Sequence, residues 1–92
     1  MQIGMVGLGR MGANIVRRLM KAGHECVVFD TDTSSIAALE KEGATGAANI
    51  EEFIAKLEVP RAVWVMVPAA VVEPVVKDLA VHLQSGDIII DG

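Results

Sequence analysis

Three closely spaced glycines near the start of the chain leave it few ways to fold. Met1-Gln2-Ile3-Gly4-Met5-Val6 is an apolar run that reads as a strand, and Gly7-Leu8-Gly9-Arg10-Met11-Gly12 follows without a spacer. From about Gly9 to Lys21, Met11, Ile15 and Leu19, with Gly12, Val16 and Met20 between them, recur at helical spacing. A strand that becomes a helix within so few residues needs a sharp corner with almost no side chains. Gly23 then stops the helix. Cys26-Val27-Val28-Phe29 forms a second apolar run, and it ends on Asp30.

The same alternation continues to the end of the chain. Asp32 or Thr33 caps a helix that runs to about Glu42, with Ile36 and Leu39 turned inward. Ala44-Thr45-Gly46-Ala47 has poor strand propensity, yet it falls where a short edge strand is due. Asn49 and Glu52 stand at the spacing of an N-cap and its reciprocal partner, ahead of Ile50, Phe53, Ile54 and Leu57. Ala62-Val63-Trp64-Val65-Met66-Val67 is the strongest strand, and Pro68 ends it. From Val71, apolar residues at spacings of three and four predict a helix closed by His82 and Gln84, which requires Pro74 to lie in its first turn. Asp87-Ile88-Ile89-Ile90-Asp91 is the last strand. Five strands alternating with four helices, joined by right-handed crossovers, predict an α/β Rossmann-like doubly wound parallel sheet of order 3-2-1-4-5. The sheet is expected to be truncated after the fifth strand, so one face should be partly bare.

In such a sheet, ligands bind outside the carboxyl ends of the strands, where the strand order reverses. Two loops meet there: the glycine turn after Val6, and Val67-Pro68-Ala69-Ala70. The glycine spacing, with an acid about 20 residues further on, is the fingerprint of a dinucleotide site. Gly7 permits the turn, Gly9 lets a pyrophosphate approach the backbone, and Gly12 lets the helix lie close to the sheet. Backbone N–H groups near Gly9, Arg10 and Met11 then face the phosphates, helped by the helix dipole. Arg10 stands ready for a charge-assisted contact or for solvent. Asp30 is placed to accept the adenosine ribose hydroxyls and to repel a 2′-phosphate by roughly 1–4 kcal/mol. Thr31 and Asp32 follow it and add no positive charge, so NAD is expected rather than NADP.

Other chemistries find little support. The net charge of −4 argues against a nucleic-acid partner. Cys26 is the only cysteine, so no intrachain disulfide can form, and its apolar surroundings mark it as a buried structural thiol in a reducing compartment. Cys26, His24 and His82 lack the spacing of a metal site, and no catalytic group is evident. His24 falls in a solvated turn, and Lys41, Lys56 and Lys77 fall on helix surfaces. Trp64 reads as core with an indole N–H in need of a partner. Ala62 to Val72 is too short to span a bilayer. A cytoplasmic protein without membrane partners is expected.

Residues Met1–Asn14, Pro60–Ala69 and Gly86–Gly92 together resemble the bacterial 6-phosphogluconate dehydrogenases of the NAD-preferring type. The resemblance covers the whole chain. The first motif alone also fits the wider β-hydroxyacid dehydrogenase superfamily, including enzymes like 3-hydroxyisobutyrate dehydrogenase. Trp64–Ala69 and the Ile-Asp-Gly ending favour the 6-phosphogluconate branch. The resemblance implies oxidative decarboxylation of 6-phosphogluconate to ribulose 5-phosphate in the pentose phosphate pathway, by an enzyme that is homo-oligomeric at full length. It also implies that Gly7, Leu8, Gly9, Arg10, Met11 and Gly12 cradle the pyrophosphate and that Asp30 holds the ribose. Val67, Pro68 and Ala69 would line the cofactor toward its nicotinamide side. NADP-using relatives carry Asn-Arg-Thr where this chain has Asp30-Thr31-Asp32.

The family continues into Gly-Asn-Ser, and later supplies its catalytic groups from a helical substrate domain. Residues 1–92 are therefore expected to be the N-terminal part of the NAD-binding Rossmann domain, able to bind cofactor without turnover. A related β-hydroxyacid dehydrogenase and a free-standing, non-catalytic nucleotide-binding module stand as alternatives.

Overall fold

The computed structural model describes residues 1–91, and Gly92, the last residue of the Ile-Asp-Gly ending, lies outside them. The elements run β1 (Gln2–Val6), α1 (Arg10–Lys21), β2 (Glu25–Phe29), α2 (Thr33–Glu40), β3 (Thr45–Gly46), α3 (Ile50–Ala55), β4 (Ala62–Val65), α4 (Ala69–His82) and β5 (Ile88–Asp91). The strands form one sheet in the order β3-β2-β1-β4-β5, and every pairing is parallel. The expected doubly wound architecture is the observed one.

Strand alternation divides the core into two layers. Met5, Cys26 and Val28 face α1 and α2, where they pack with Val16, Ile36 and Leu39. Val6, Val27, Val63 and Val65 face α3 and α4, against Phe53, Ile54, Leu57 and Leu79. Gly4 belongs to the second face. A Cβ there would lie 2.6 Å from Phe53 Cζ and 2.8 Å from Leu57 Cδ1, so its absence lets the aromatic ring settle onto the centre of the sheet. Burial of the Cys26 thiol pushes its pKa up, which suits an inert packing residue.

The caps follow local chemistry. Asp32 accepts the Ser34 N–H at 3.0 Å and starts α2, which ends at Glu40, two residues short of the expected end. Asn49 accepts the Glu52 N–H at 2.8 Å, while the Glu52 carboxylate reaches back to the Ala48 N–H at 3.2 Å. The reciprocal contact is thus displaced by one residue. Lys56 is more than a solvated surface charge, because its Nζ donates to Gly46 O at 2.7 Å and ties the end of α3 to β3. His24 also departs from the solvated role expected of it. It is half-buried, and its Nδ1 has no protein partner among the described residues.

Helix α4 begins at Ala69, two residues earlier than the apolar spacing predicts, so Pro74 lies beyond the first turn. Proline cannot supply the N–H that the Ala70 carbonyl would otherwise receive. Ala70 and Pro74 are both exposed, so water can take the place of that bond. On β5, Ile89 joins the α3/α4 layer, whereas Ile88 and Ile90 are 57% and 44% exposed on the opposite face. The register pairs Ile90 with Trp64 on that partly bare face. The Trp64 indole Nε1 finds no protein acceptor among the described residues.

One polar cluster pins the amino ends of β4 and β5. The Asp87 carboxylate accepts the Arg61 N–H at 2.6 Å, the Gln84 N–H at 2.8 Å and Arg61 Nη1 at 3.1 Å. The backbone N–H of Arg61, then that of Gln84, hold the Asp87 pKa below its ordinary value of 3.8. A carboxyl group with a depressed folded-state pKa stabilises the fold above its unfolded pKa and loses that contribution as the pH falls through the folded value. Asp87→Asn is therefore expected to be less stable than the parent at pH 7. It should also lose less stability than the parent on acidification below about pH 4, as urea unfolding across that range would show.

Candidate functional site

At the carboxyl edge of the sheet, β1 and β4 lie side by side and their following loops diverge. Gly7 leaves β1 with φ +98°, a conformation that side chains other than glycine's rarely adopt. A Cβ on Gly7 would also run into the Met66 carbonyl oxygen. The Gly7 N–H donates to Phe29 O at 3.0 Å, and the Met66 N–H donates to Val6 O at 2.8 Å. The turn is thus sewn to the strands on both sides.

The two other glycines have different neighbours. A Cβ on Gly12 would collide with the Gly7 carbonyl oxygen and lie 3.1 Å from the carbonyl carbon, so this glycine is what allows α1 to start so close to the strand. A Cβ on Gly9 would meet no heavy atom within 4 Å. Gly9 is the N-cap of α1, and no side chain caps the helix, so the amides of its first turn point toward open space. An anionic group suits this position, because the helix dipole adds positive potential to those amides.

Beside this corner lies a cleft of about 490 Å³, lined by Gly7, Gly9, Asp30, Val67 and Pro68 together with apolar groups from four elements. Phe29, Ile50, Val71 and Val75 form the apolar wall, and Thr31 and Asp78 stand at the polar margin. The Asp30 carboxylate is the turn's nearest anion. Its Oδ2 accepts the Leu8 N–H at 2.6 Å and its Oδ1 accepts the Asp32 N–H at 2.8 Å.

The structure thus brings together five of the residues singled out by sequence and distributes the rest around them. Leu8 lies behind the cleft, 4% exposed and packed in the core, with its amide engaged by Asp30. Arg10 and Met11 line a shallow depression on the outer side of α1 with Arg17, Arg18 and Lys21. Ala69 borders a neighbouring hollow with Val67, Val72 and Asp91. Sequence reasoning read Ile50, Val71 and Val75 only as apolar positions at helical spacing and missed their part in the cleft. The signal available was the i, i+4 spacing of Val71 and Val75, which gives them one helix face. Among the described residues, no cluster of three potential ligands could hold a metal, and no helix is long and apolar enough to cross a membrane.

A glycine corner, an uncapped helix start and an acid at the end of the second strand define a dinucleotide-binding Rossmann domain. Residues 2–92 match the family model described as the NAD binding domain of 6-phosphogluconate dehydrogenase, and the chain belongs to that family. It is 40% identical over 93 residues to an NAD(+)-dependent, decarboxylating 6-phosphogluconate dehydrogenase of Haloferax volcanii, covering 100% of this chain and 31% of that protein. An NADP(+)-dependent, decarboxylating 6-phosphogluconate dehydrogenase of Bacillus subtilis is 33% identical over 96 residues, covering 99% of this chain and 20% of the relative. The solved structure of 3-hydroxyisobutyrate dehydrogenase from Mycobacterium tuberculosis superposes with a TM-score of 0.85 at 27% identity, over 98% of this chain and 30% of that one. The chain therefore spans no more than about a third of the length of these relatives.

Proposed function

We propose that residues 1–92 are the NAD-binding part of an enzyme that oxidatively decarboxylates 6-phosphogluconate to ribulose 5-phosphate in the pentose phosphate pathway. One observation carries the reading: Gly9, the N-cap of a helix start that no side chain caps, lines the same cleft as Asp30. The residues present suit the cofactor. Gly9, Arg10 and Met11 offer backbone donors to the pyrophosphate, with Gly7 and Gly12 shaping the corner and Leu8 supporting it from behind. Asp30 accepts from the adenosine ribose, and Phe29, Ile50, Val71 and Val75 give the adenine an apolar bed. Val67, Pro68 and Ala69 border the nicotinamide side. When bound, NAD supplies a nicotinamide ring that accepts a hydride.

In this reading the chain holds the cofactor, while the groups that bind 6-phosphogluconate and move its protons come from elsewhere in a longer, cytoplasmic, homo-oligomeric enzyme. The 92-residue chain binds NAD and turns over nothing. A second reading, as the cofactor domain of another β-hydroxyacid dehydrogenase, has the support of the close superposition on 3-hydroxyisobutyrate dehydrogenase.

Asp30 makes the cofactor choice testable. Thr31 and Asp32 bring no cation to meet a 2′-phosphate, and a carboxylate at contact disfavours that group by roughly 1–4 kcal/mol. Calorimetric titration of the chain is expected to give NAD an affinity at least about fivefold above that of NADP. Equal affinities would remove Asp30 from its assigned role.

A further inference from the structure

Asp30 stands at the end of β2, yet its shortest hydrogen bond reaches back 22 residues to the Leu8 N–H, at 2.6 Å in a partly buried position. Its second oxygen accepts the exposed Asp32 N–H at 2.8 Å, and the Thr31 hydroxyl stands 3.5 Å from that same oxygen. One carboxylate therefore ties the exit of β1 to the exit of β2. The Gly7 amide is held separately by Phe29 O. With the Gly7 and Leu8 donors both occupied by protein, the corner is fixed from inside, and the donors left to a ligand begin at Gly9.

We propose that Asp30 is a positioning residue for the glycine turn, holding Leu8 so that the amides from Gly9 onward keep a phosphate-ready arrangement before any ligand arrives. This extends the reading above and rests on it for the identity of the ligand, though not for the geometry. It gives Asp30 a second contribution, separate from the ribose contact. Losing the carboxylate strands a partly buried donor at Leu8 and lets the turn relax, which weakens the grip on phosphates whatever sugar they carry. Asparagine keeps an oxygen for Leu8 and alanine does not. Both substitutions remove the same negative charge, so the difference between them isolates the hydrogen bond.

The test uses the 92-residue chain with Asp30→Ala and Asp30→Asn. Amide hydrogen exchange at Leu8, measured by NMR without ligand, is expected to be about tenfold faster or more in Asp30→Ala than in the parent. In Asp30→Asn it should stay within about threefold of the parent, because one charge-independent acceptor remains. Inorganic pyrophosphate, which has no ribose, should bind Asp30→Asn about tenfold more tightly than Asp30→Ala. The proposal is overturned if Leu8 exchanges at one rate in all three proteins, or if the two variants bind pyrophosphate equally. Failure of NAD to bind the parent would end the cofactor reading alone, since the Leu8 exchange rates judge the turn without it.

Discussion

Replacing Gly9 with alanine is expected to leave the fold intact and to weaken NAD binding by roughly 10- to 150-fold. Gly9 has φ −63° and ψ −176°, which any residue can adopt, and its Cβ would enter open space. Nothing in the protein therefore resists the methyl group. The ligand does, because the proposed pyrophosphate position is the space that the methyl group enters. Displacing the diphosphate from even one backbone donor forfeits a charge-assisted hydrogen bond, about 1.5–3 kcal/mol, and this sets the expected range. Thermal unfolding and a calorimetric titration together check it. A variant that binds NAD like the parent would show that the diphosphate lies elsewhere.

Gly12→Ala should fail in the opposite manner. Its Cβ would strike the Gly7 carbonyl oxygen, which belongs to a backbone already fixed by hydrogen bonds and cannot swing aside. Relief requires α1 to back away from β1, and α1 carries Val16 into one of the two core layers. Overpacking of this kind costs about 3 kcal/mol or more where backbone must move, which lowers the unfolding midpoint of a domain this size by roughly 12–24 °C. NAD affinity falls as well, because the helix start moves with the helix. A Gly12→Ala protein as stable as the parent would contradict the close packing that gives this glycine its role.

Much of this architecture is legible in the residues, because burial on both faces of a parallel sheet writes continuous apolar runs such as Cys26–Phe29 and Ala62–Val65. The corner at Gly7, the cap at Asn49 and the acid at Asp30 are local devices, and local devices leave local signals. The start of α4 was not legible. Pro68 serves as its N-cap without a side-chain bond, so the usual capping residues are absent and the β-branched valines obscure where the helix begins. Contacts between distant residues left no trace at all. Nothing near Arg61 announces Asp87, and nothing near Leu8 announces that its amide belongs to Asp30. For the site, the glycines and Asp30 could be chosen by spacing, but the apolar wall from Ile50, Val71 and Val75 exists only once α3 and α4 pack on the same face.

The most direct measurement is a titration of the isotopically labelled chain with NAD, followed residue by residue through its backbone amide resonances. The largest shifts are expected at Gly9, Arg10 and Met11, with accompanying changes at Asp30, Thr31 and Val67. Shifts confined to the outer face of α1 around Arg17 and Lys21, or none at saturating NAD, would contradict a cofactor seated on the glycine corner.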